Sequence, residues 1–294
     1  MKRDVALVSY SSSEESESSP IPPKKRKLPA LSVTLTGPVH VDDPVLHQGR
    51  IRSVPHIDGQ FATHIYASVA LDRSSAFFQL LCSILVSAKK AVPTLQDFWS
   101  SDSAQDRERR PELHISLSRP IYLRAHQRDD MKRAVKRITD TTAPFTASFA
   151  RISELVNDER TRIFLVLEIG AGHHELTALV NSVTPALRAI RQQEYYTAPR
   201  FHASIGWALL GGRGPSHVPT NTTASIGMDS SNSATSPSET LYPKITEFPP
   251  ALLPALNEEY GPRLKTAPTV KSFEIGQLCI RIGKEVSRLR LNGT

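Results

Sequence analysis

The sequence predicts an α+β fold built on antiparallel sheets, and two features support that class. Segments with a two-residue alternation of apolar side chains, typical of strands, are mixed with segments of helical periodicity. Some strand-like segments follow one another across a short turn, as in hairpins, instead of alternating regularly with helices. With 294 residues, 39% of them hydrophobic and 22% charged, the chain is long enough for one large domain or two small ones.

The strands are predicted from alternation of apolar and polar side chains, because successive side chains of a strand point to opposite faces. The first strand carries Ile65, Ala67 and Val69 on one face. An Asn-Asp-Glu turn at 157–159 joins two later strands into a hairpin. In chain order the predicted strands are 61–71, 113–118 with 121–124 continuing or following it, 145–152, 161–169, 200–210 and 271–282.

The helices are predicted from apolar residues that recur every three or four positions. Ser74 can cap the first helix, which runs to about residue 90. The third helix spans 176–190, and Pro185 inside it favours a kink or a division. The second helix, 129–138, has a basic face that could follow an RNA backbone, although a solvated surface is the simpler interpretation. That face is formed by Lys132, Arg133, Lys136 and Arg137.

Two segments lack the composition of a folded domain. Residues 1–45 are rich in Ser, Glu and Pro, so we expect them to be disordered. They contain four consecutive basic residues at 24–27, which resemble a nuclear import signal. Residues 211–240 are rich in Ser and Thr without periodicity, and we expect a disordered insertion there. The folded domain is therefore predicted at 46–294, interrupted by that insertion.

Charge and composition exclude several classes of protein. The chain has 36 basic and 29 acidic residues, a formal net charge of +7, which favours a polyanionic partner without identifying one. Cys82 and Cys279 are too few for a disulfide scaffold or a Cys-rich zinc module, and they indicate a reducing compartment. The apolar stretches are too short to span a bilayer and no signal peptide is apparent, so we expect a soluble intracellular protein without membrane association.

Two of the predicted strands share a His-x-Ser pattern. The first reads Leu-His-Ile-Ser-Leu-Ser at 113–118, and the second reads Phe-His-Ala-Ser-Ile-Gly-Trp at 201–207. Alternation places His114 and Ser116 on one face of the first strand, and His202 and Ser204 on one face of the second. The apolar residues of both motifs are predicted to point the other way, into a core: Leu113, Ile115 and Leu117, and Phe201, Ala203, Ile205 and Trp207.

Two imidazoles and two hydroxyls suit the cleavage of an RNA phosphodiester by its own 2′-hydroxyl. One imidazole removes the hydroxyl proton and the other protonates the leaving 5′-oxygen, while the serines donate hydrogen bonds to the phosphoryl oxygens. Neither a metal nor another cofactor is needed. A partly buried histidine paired with its neighbouring serine is an alternative, and a zinc site is a weaker one because other ligands are lacking at suitable spacing.

The other histidines are interpreted more simply. His56 and His64 are predicted to be structural. His173 and His174 lie at a predicted helix start beside Glu175, and we expect them to be solvated or to cap that helix.

The paired motifs resemble those of the two-histidine phosphoesterase superfamily, and within it the chain is similar to the U6 small nuclear RNA phosphodiesterases, in a fungal-type form. The similarity extends to the Ser-rich N-terminus at 7–13 and to segments that contain Gly49-Arg50 and Thr161-Arg162. It covers residues 46–212, and 268–285 more weakly. It departs from the family at the Ser/Thr-rich stretch after Gly211.

The resemblance implies two pseudo-symmetric lobes, each a small antiparallel sheet with helices, and a groove between them that carries the two His-x-Ser strands. It implies a metal-independent 3′–5′ exoribonuclease, monomeric and nuclear, that trims uridines or adenosines from the 3′ end of U6 small nuclear RNA. The product would end in a 2′,3′-cyclic phosphate or a 3′-phosphate.

The site residues implied by the resemblance are few. His114 and His202 are the acid–base pair, and Ser116 and Ser204 hold the phosphate. Tyr196 stacks on the terminal base, with Tyr195 as the alternative. The motifs do not decide which histidine is the base. A cyclic phosphodiesterase acting on small nucleotides or other RNA ends, a non-catalytic RNA-binding module and a purely structural protein are the competing interpretations.

Overall fold

The computed structural model describes residues 47–50, 57–99, 110–211, 242–267 and 270–293. The segment at 1–45 with its basic run, and all of the expected insertion except Gly211, lie outside these ranges. Within the described ranges, no helix combines the length and the apolar character needed to cross a bilayer.

The described residues form four α-helices and eleven strands. The helices are α1 (Ala76–Ala91), α2 (Arg128–Thr141), α3 (His173–Ala189) and α4 (Leu252–Thr266). The strands are β1 (Gln60–Ala70), β2 (Gln96–Asp97), β3 (Glu112–Ser116), β4 (Ile121–Arg124), β5 (Phe145–Ala147), β6 (Phe149–Val156), β7 (Arg162–Ile169), β8 (His202–Leu209), β9 (Phe273–Ile275), β10 (Gln277–Ile282) and β11 (Glu285–Arg290).

The strands confirm the predicted α+β class, because nine of them form one antiparallel sheet. Its order is β11-β10-β1-β3-β8-β7-β6, with β4 paired to β1 and β2 paired to β8, while β5 and β9 form a separate pair. The two halves of the large sheet meet where β3 runs beside β8, through the pairing of Ile115 with Ala203. The two His-x-Ser strands are therefore neighbours at the centre of the sheet.

One face of the large sheet is apolar and packs against the helices. Its residues on β1 and β3 are Ile65, Ala67, Val69, Leu113 and Ile115. They are buried together with apolar side chains of all four helices, and each fully buried Val, Leu, Ile, Phe or Met side chain contributes roughly 1.5–3 kcal/mol. The packing fixes which way the alternate side chains project. We call the opposite side, which carries His114 and Ser116, the open face.

The ends of the helices differ from the prediction in two details. Ser75, not Ser74, caps α1: its hydroxyl accepts a hydrogen bond from the amide of Phe78 at 3.1 Å. The α3 helix continues through Pro185 without division. The proline removes the hydrogen bond to the carbonyl of Asn181, but both residues lie on the exposed side, where water can satisfy that carbonyl.

The C-terminal third of the chain was predicted least well. The helix α4 was not anticipated, because Pro254, Gly261 and Pro262 interrupt its apolar pattern. The single strand predicted at 271–282 is two strands, β9 and β10, separated at Gly276 and followed by a third, β11.

A β-bulge changes the orientation of the second motif. The register between β7 and β8 shifts between Leu165 and Val166, and this leaves Ile205 without a partner. Trp207 consequently pairs with Phe164 and is buried as predicted, but on the open face, opposite the apolar cluster that contains Ala203 and Ile205. The guanidinium of Arg50 lies over its ring, 5.3 Å from the ring centre.

Candidate active site

The four motif residues lie together on the open face of two adjacent strands. Ile115 of β3 and Ala203 of β8 are paired and fully buried, so their neighbours in both strands project to the other side. The antiparallel register places His114 across from Ser204, and Ser116 across from His202. All four side chains are partly exposed, which leaves them accessible to a substrate.

His202 is arranged to accept a proton. Its Nδ1 lies 2.6 Å from the backbone carbonyl oxygen of Arg200, and because a carbonyl only accepts, Nδ1 carries the hydrogen. In the neutral ring the lone pair is then on Nε2. Burial lowers the pKa of His202, which keeps the ring neutral at neutral pH. These are the properties of a general base.

His114 is held by a carboxylate two residues earlier on the same strand. Its Nε2 lies 2.9 Å from Oε1 of Glu112, to which it donates. Burial alone would raise the pKa of Glu112, but hydrogen bonds from His114, Arg288 and Ser68 outweigh that effect and hold the pKa well below its usual range. Glu112 is therefore ionised. As a charged hydrogen-bond partner, it holds the His114 ring in one orientation.

Glu112 is itself fixed by donors from β1 and β11. Ser68 Oγ donates to Oε2 at 2.8 Å, a guanidinium nitrogen of Arg288 donates to the same oxygen at 2.7 Å, and the hydroxyl of Tyr66 lies 3.3 Å from Oε1. Burial, followed by the nearby Glu112 charge, raises the pKa of Tyr66, so this hydroxyl keeps its proton and donates. The ring of Tyr66 also packs on His114, with 4.0 Å between the ring centres.

His64, which was predicted to be structural, lies at the site. Its Nε2 is 2.9 Å from the hydroxyl of Ser116, and its ring stacks on Tyr66 with 5.2 Å between the centres. Burial, and then the positive charges of His114 and Arg281, lower the pKa of His64 to about 4. His64 is thus neutral at neutral pH. When Nε2 donates to Ser116, the serine keeps its own hydrogen for a phosphate oxygen.

Tyr196 lies in the loop before β8 and is held at its hydroxyl end. The hydroxyl donates to the carboxylate of Asp158 at 3.0 Å, and the guanidinium of Arg119, 3.9 Å from the ring centre, forms an ion pair with the same carboxylate at 2.7 Å. Tyr196 is 41% exposed, whereas Tyr195 is 8% exposed and stacks on Phe201. Of the two tyrosines, Tyr196 is therefore the one that can receive a base.

A cavity of about 540 Å³ adjoins this aromatic ring, and its walls include Arg119 and the loop residues 193–198. Arg119 covers one side of the Tyr196 ring, so a base must approach from the other side.

The part of the chain that the structure describes contains no cluster of side chains suited to bind a metal ion. No group of three or more His, Cys, Asp or Glu side chains is close enough there to hold one.

Comparison with known proteins identifies the family. A family model described as "HVSL: Uncharacterised conserved protein" matches residues 19–245. The chain is 32% identical over 215 residues to U6 snRNA phosphodiesterase 1 of Xenopus laevis, covering 70% of this chain and 80% of that protein. It is 33% identical over 198 residues to the Mus musculus protein of the same name, covering 65% of this chain and 67% of that protein. This chain belongs to the U6 snRNA phosphodiesterase family.

The solved structures include a similar chain. The structure of Usb1 from Kluyveromyces marxianus superposes with a TM-score of 0.48 at 13% identity, covering 78% of this chain and 98% of that one. The family assignment confirms the resemblance inferred from the paired motifs, and the matched range contains both of them as well as Tyr196.

Sequence reasoning did not identify the groups around His114 in this family member. Glu112 stands two positions before His114, and alternation alone puts the two on the same face. Tyr66 and Ser68 share the alternation of β1 in the same way. Arg288 had no such signal, because it comes from a strand that was not predicted.

The basic helix α2 is placed away from this site. Its buried side packs into the helical core, opposite the open face. Arg133 and Lys136 form ion pairs with Asp130 and Asp140, and Lys132 forms one with Glu285. These pairs favour the interpretation of a solvated surface over that of an RNA track.

Proposed function

We propose that this chain is a U6 small nuclear RNA phosphodiesterase, a 3′–5′ exoribonuclease that trims uridines or adenosines from the 3′ end of its substrate. The observation that carries the proposal is the pair of differently held histidines, His114 and His202, beside two serine hydroxyls on one open face. The relatives are named for the same RNA and for a phosphodiesterase activity.

The mechanism follows from how each histidine is held. His202 Nε2 takes the proton of the 2′-hydroxyl of the penultimate nucleotide, and the 2′-oxygen attacks the adjacent phosphorus. The bond from phosphorus to the 5′-oxygen of the last nucleoside breaks, and protonated His114 gives that oxygen its proton. The products are a free nucleoside and an RNA that ends in a 2′,3′-cyclic phosphate. Water attacking this cyclic phosphate, with the two histidines in reversed roles, would give a 3′-phosphate.

The serines and Tyr196 bind rather than transfer protons. Ser116 and Ser204 donate hydrogen bonds to the phosphoryl oxygens, where negative charge increases in the transition state. Tyr196 stacks on the terminal base, a contact that tolerates more than one base because every base has a π face. A monomer is sufficient for this chemistry, because one chain provides the base, the acid, the phosphate donors and the stacking ring. The import-like run at 24–27 and the RNA named for the relatives support a nuclear location.

The proposal is tested by incubating the full-length protein with a 3′-oligouridylated RNA in excess chelator and identifying the terminal group. We expect stepwise shortening and a cyclic phosphate or 3′-phosphate end. His114→Gln and His202→Gln should abolish shortening, while His173→Gln is the matched control, an exposed histidine at the start of α3. Shortening that requires a divalent ion, or that survives in both folded site variants, would contradict the proposal.

A further inference from the structure

Two arginines lie close together on the open face, at the end of β7 and β8 farthest from His202. Arg162 is the first residue of β7 and shares the face of Phe164, with its guanidinium carbon 5.4 Å from the centre of that ring. Arg50 lies over Trp207, and Trp207 is the cross-strand partner of Phe164. The two guanidiniums are thus seated on two adjacent aromatic rings.

The position of Arg50 is fixed by its own short segment. Its Nε donates to the carbonyl oxygen of His47 at 2.8 Å, which leaves the other guanidinium donors for a ligand. Gly49 has a φ of +78°, and a Cβ there would come within 2.8 Å of Tyr242 and Leu209. The segment therefore lies tightly against the end of β8, and it holds Arg50 over Trp207.

The proximity of these two positive charges is only partly compensated among the described residues. Burial and the charge of Arg50 lower the pKa of Arg162, and the opposing effect of the Glu159 carboxylate is smaller, so the pKa stays lowered. In the described ranges, neither guanidinium forms an ion pair with a carboxylate. By contrast, Arg151 and Arg200 both hold Glu168 on the open face. The cation–π contact with an aromatic ring stabilises each guanidinium separately, but it does not explain why two guanidinium groups lie side by side.

We propose that Arg50 and Arg162 together bind a phosphate of the RNA strand upstream of the scissile linkage. Two guanidinium forks can share the oxygens of one phosphate, and an anion between them turns their repulsion into attraction. The inference rests on the proposed function. In a substrate cut at its last linkage, every other phosphodiester lies upstream.

The distance along the sheet fits a neighbouring part of the same strand. Arg162 is four residues from Val166, the cross-strand partner of Ser204, which is about 13 Å at the rise of a β-strand. Phe164 and Trp207 lie between these two positions on the same face. A single RNA strand can therefore follow the open face from the catalytic pair to the two arginines.

The test compares substrates that differ in their number of phosphates. The dinucleotide UpU has only the scissile phosphate, whereas UpUpUpU has two more upstream. We expect Arg50→Gln and Arg162→Gln each to lower the ratio of kcat/KM for UpUpUpU to that for UpU by about ten-fold, since a hydrogen bond to a charged group is lost. Arg133→Gln, which removes the same charge from the exposed side of α2, should leave the ratio unchanged.

A binding measurement separates this inference from the proposed reaction. Oligodeoxythymidine lacks the 2′-hydroxyl, and its affinity is measured against salt concentration for the same variants. Each Arg50 or Arg162 variant should reduce the slope of log affinity against log salt by about 0.7 per phosphate contact. Arg162→Lys keeps the charge and should retain most of that slope. A retained slope in this variant would show that the loss in Arg162→Gln comes from the missing charge and not from a folding defect.

The outcomes are distinct. If the wild type cleaves no RNA but both arginine variants lose salt-dependent binding, the proposed reaction fails and the phosphate site stands. If the folded variants match Arg133→Gln in substrate ratio and in salt slope, the phosphate site is refuted, and the arginines only cover Trp207 and Phe164.

Discussion

Replacing Glu112 by glutamine should impair the general acid without changing the shape of the site. The amide has the size of the carboxylate, but it removes the negative charge that accepts hydrogen bonds from His114, Ser68 and Arg288. A hydrogen bond to a charged group is worth about 1.5–3 kcal/mol, and the side chains here are partly exposed, so we expect the lower part of that range. The expected loss in kcat is about ten-fold.

The pH profile separates a role in acid catalysis from a role in stability. The carboxylate holds the ring of His114, which must give up a proton in the reaction. Without it, kcat should fall while KM changes little, and the acidic limb of the pH profile of kcat/KM, set by the lowered pKa of His202, should stay in place. Activity is measured on oligouridylated RNA across the pH range, after thermal unfolding has shown that the variant is folded.

A matched control distinguishes the charge from the network around it. Ser68→Ala removes one of the donors to Glu112 and keeps the carboxylate ionised. It should lower kcat by a few-fold at most. If folded Glu112→Gln has the kcat of the wild type, Glu112 does not support His114, and its assignment as the positioning residue of the acid is wrong.

Three further predictions follow from the site. Lowering the pH from 7.5 to 4 should reduce the free energy of unfolding by about 3 kcal/mol through His64. The pKa of His64 is about 4 in the folded protein and 6.5 in the unfolded chain. Below pH 6.5 the unfolded chain therefore binds a proton that the folded protein does not, and stability is lost. Denaturation of His64→Gln should show a shallower pH dependence, and an equal one would contradict the buried neutral ring. Tyr196→Ala should weaken substrate binding by about 1–3 kcal/mol, whereas Tyr196→Phe, which keeps the ring, should cost less, as binding titrations can show; equal losses would argue against stacking. Ser116→Ala and Ser204→Ala should each lower kcat less than His114→Ala or His202→Ala, for which a loss of about 10²–10⁴-fold is expected. The double histidine variant should be little worse than either single histidine variant. Single-turnover rates test this order, and additive losses in the double variant would place the two histidines in separate steps.

Local patterns in the sequence were sufficient to find both motif strands and three of the four helices in the described residues. The alternation around His114 and His202 predicted their shared orientation because the neighbouring residues, Ile115 and Ala203, are fully buried. The helix α4 escaped because Pro254 and Pro262 obscure its periodicity. The order of the strands in the sheet was also beyond a local pattern, since β3 and β8 are separated by more than 80 residues (202 minus 116).

The environment of the site depended on contacts between distant segments. Arg288 reaches Glu112 across 176 residues of sequence, and no local pattern signals such a pair. The bulge at Ile205 is equally invisible in the sequence, yet it turns Trp207 to the open face. The motifs therefore supplied the catalytic candidates, while the groups that distinguish the acid from the base required the structure.

The central claim is that the 2′-hydroxyl of the penultimate nucleotide is the nucleophile. The most direct measurement uses two oligouridylated RNAs that differ only by a 2′-deoxy substitution at that nucleotide, both incubated with the full-length protein in excess chelator. The mechanism predicts that the all-ribose RNA loses its last nucleoside, while the substituted RNA binds but stays intact. Efficient removal of the last nucleotide from the substituted RNA would mean that water attacks directly, and the roles assigned to His202 and His114 would have to be replaced.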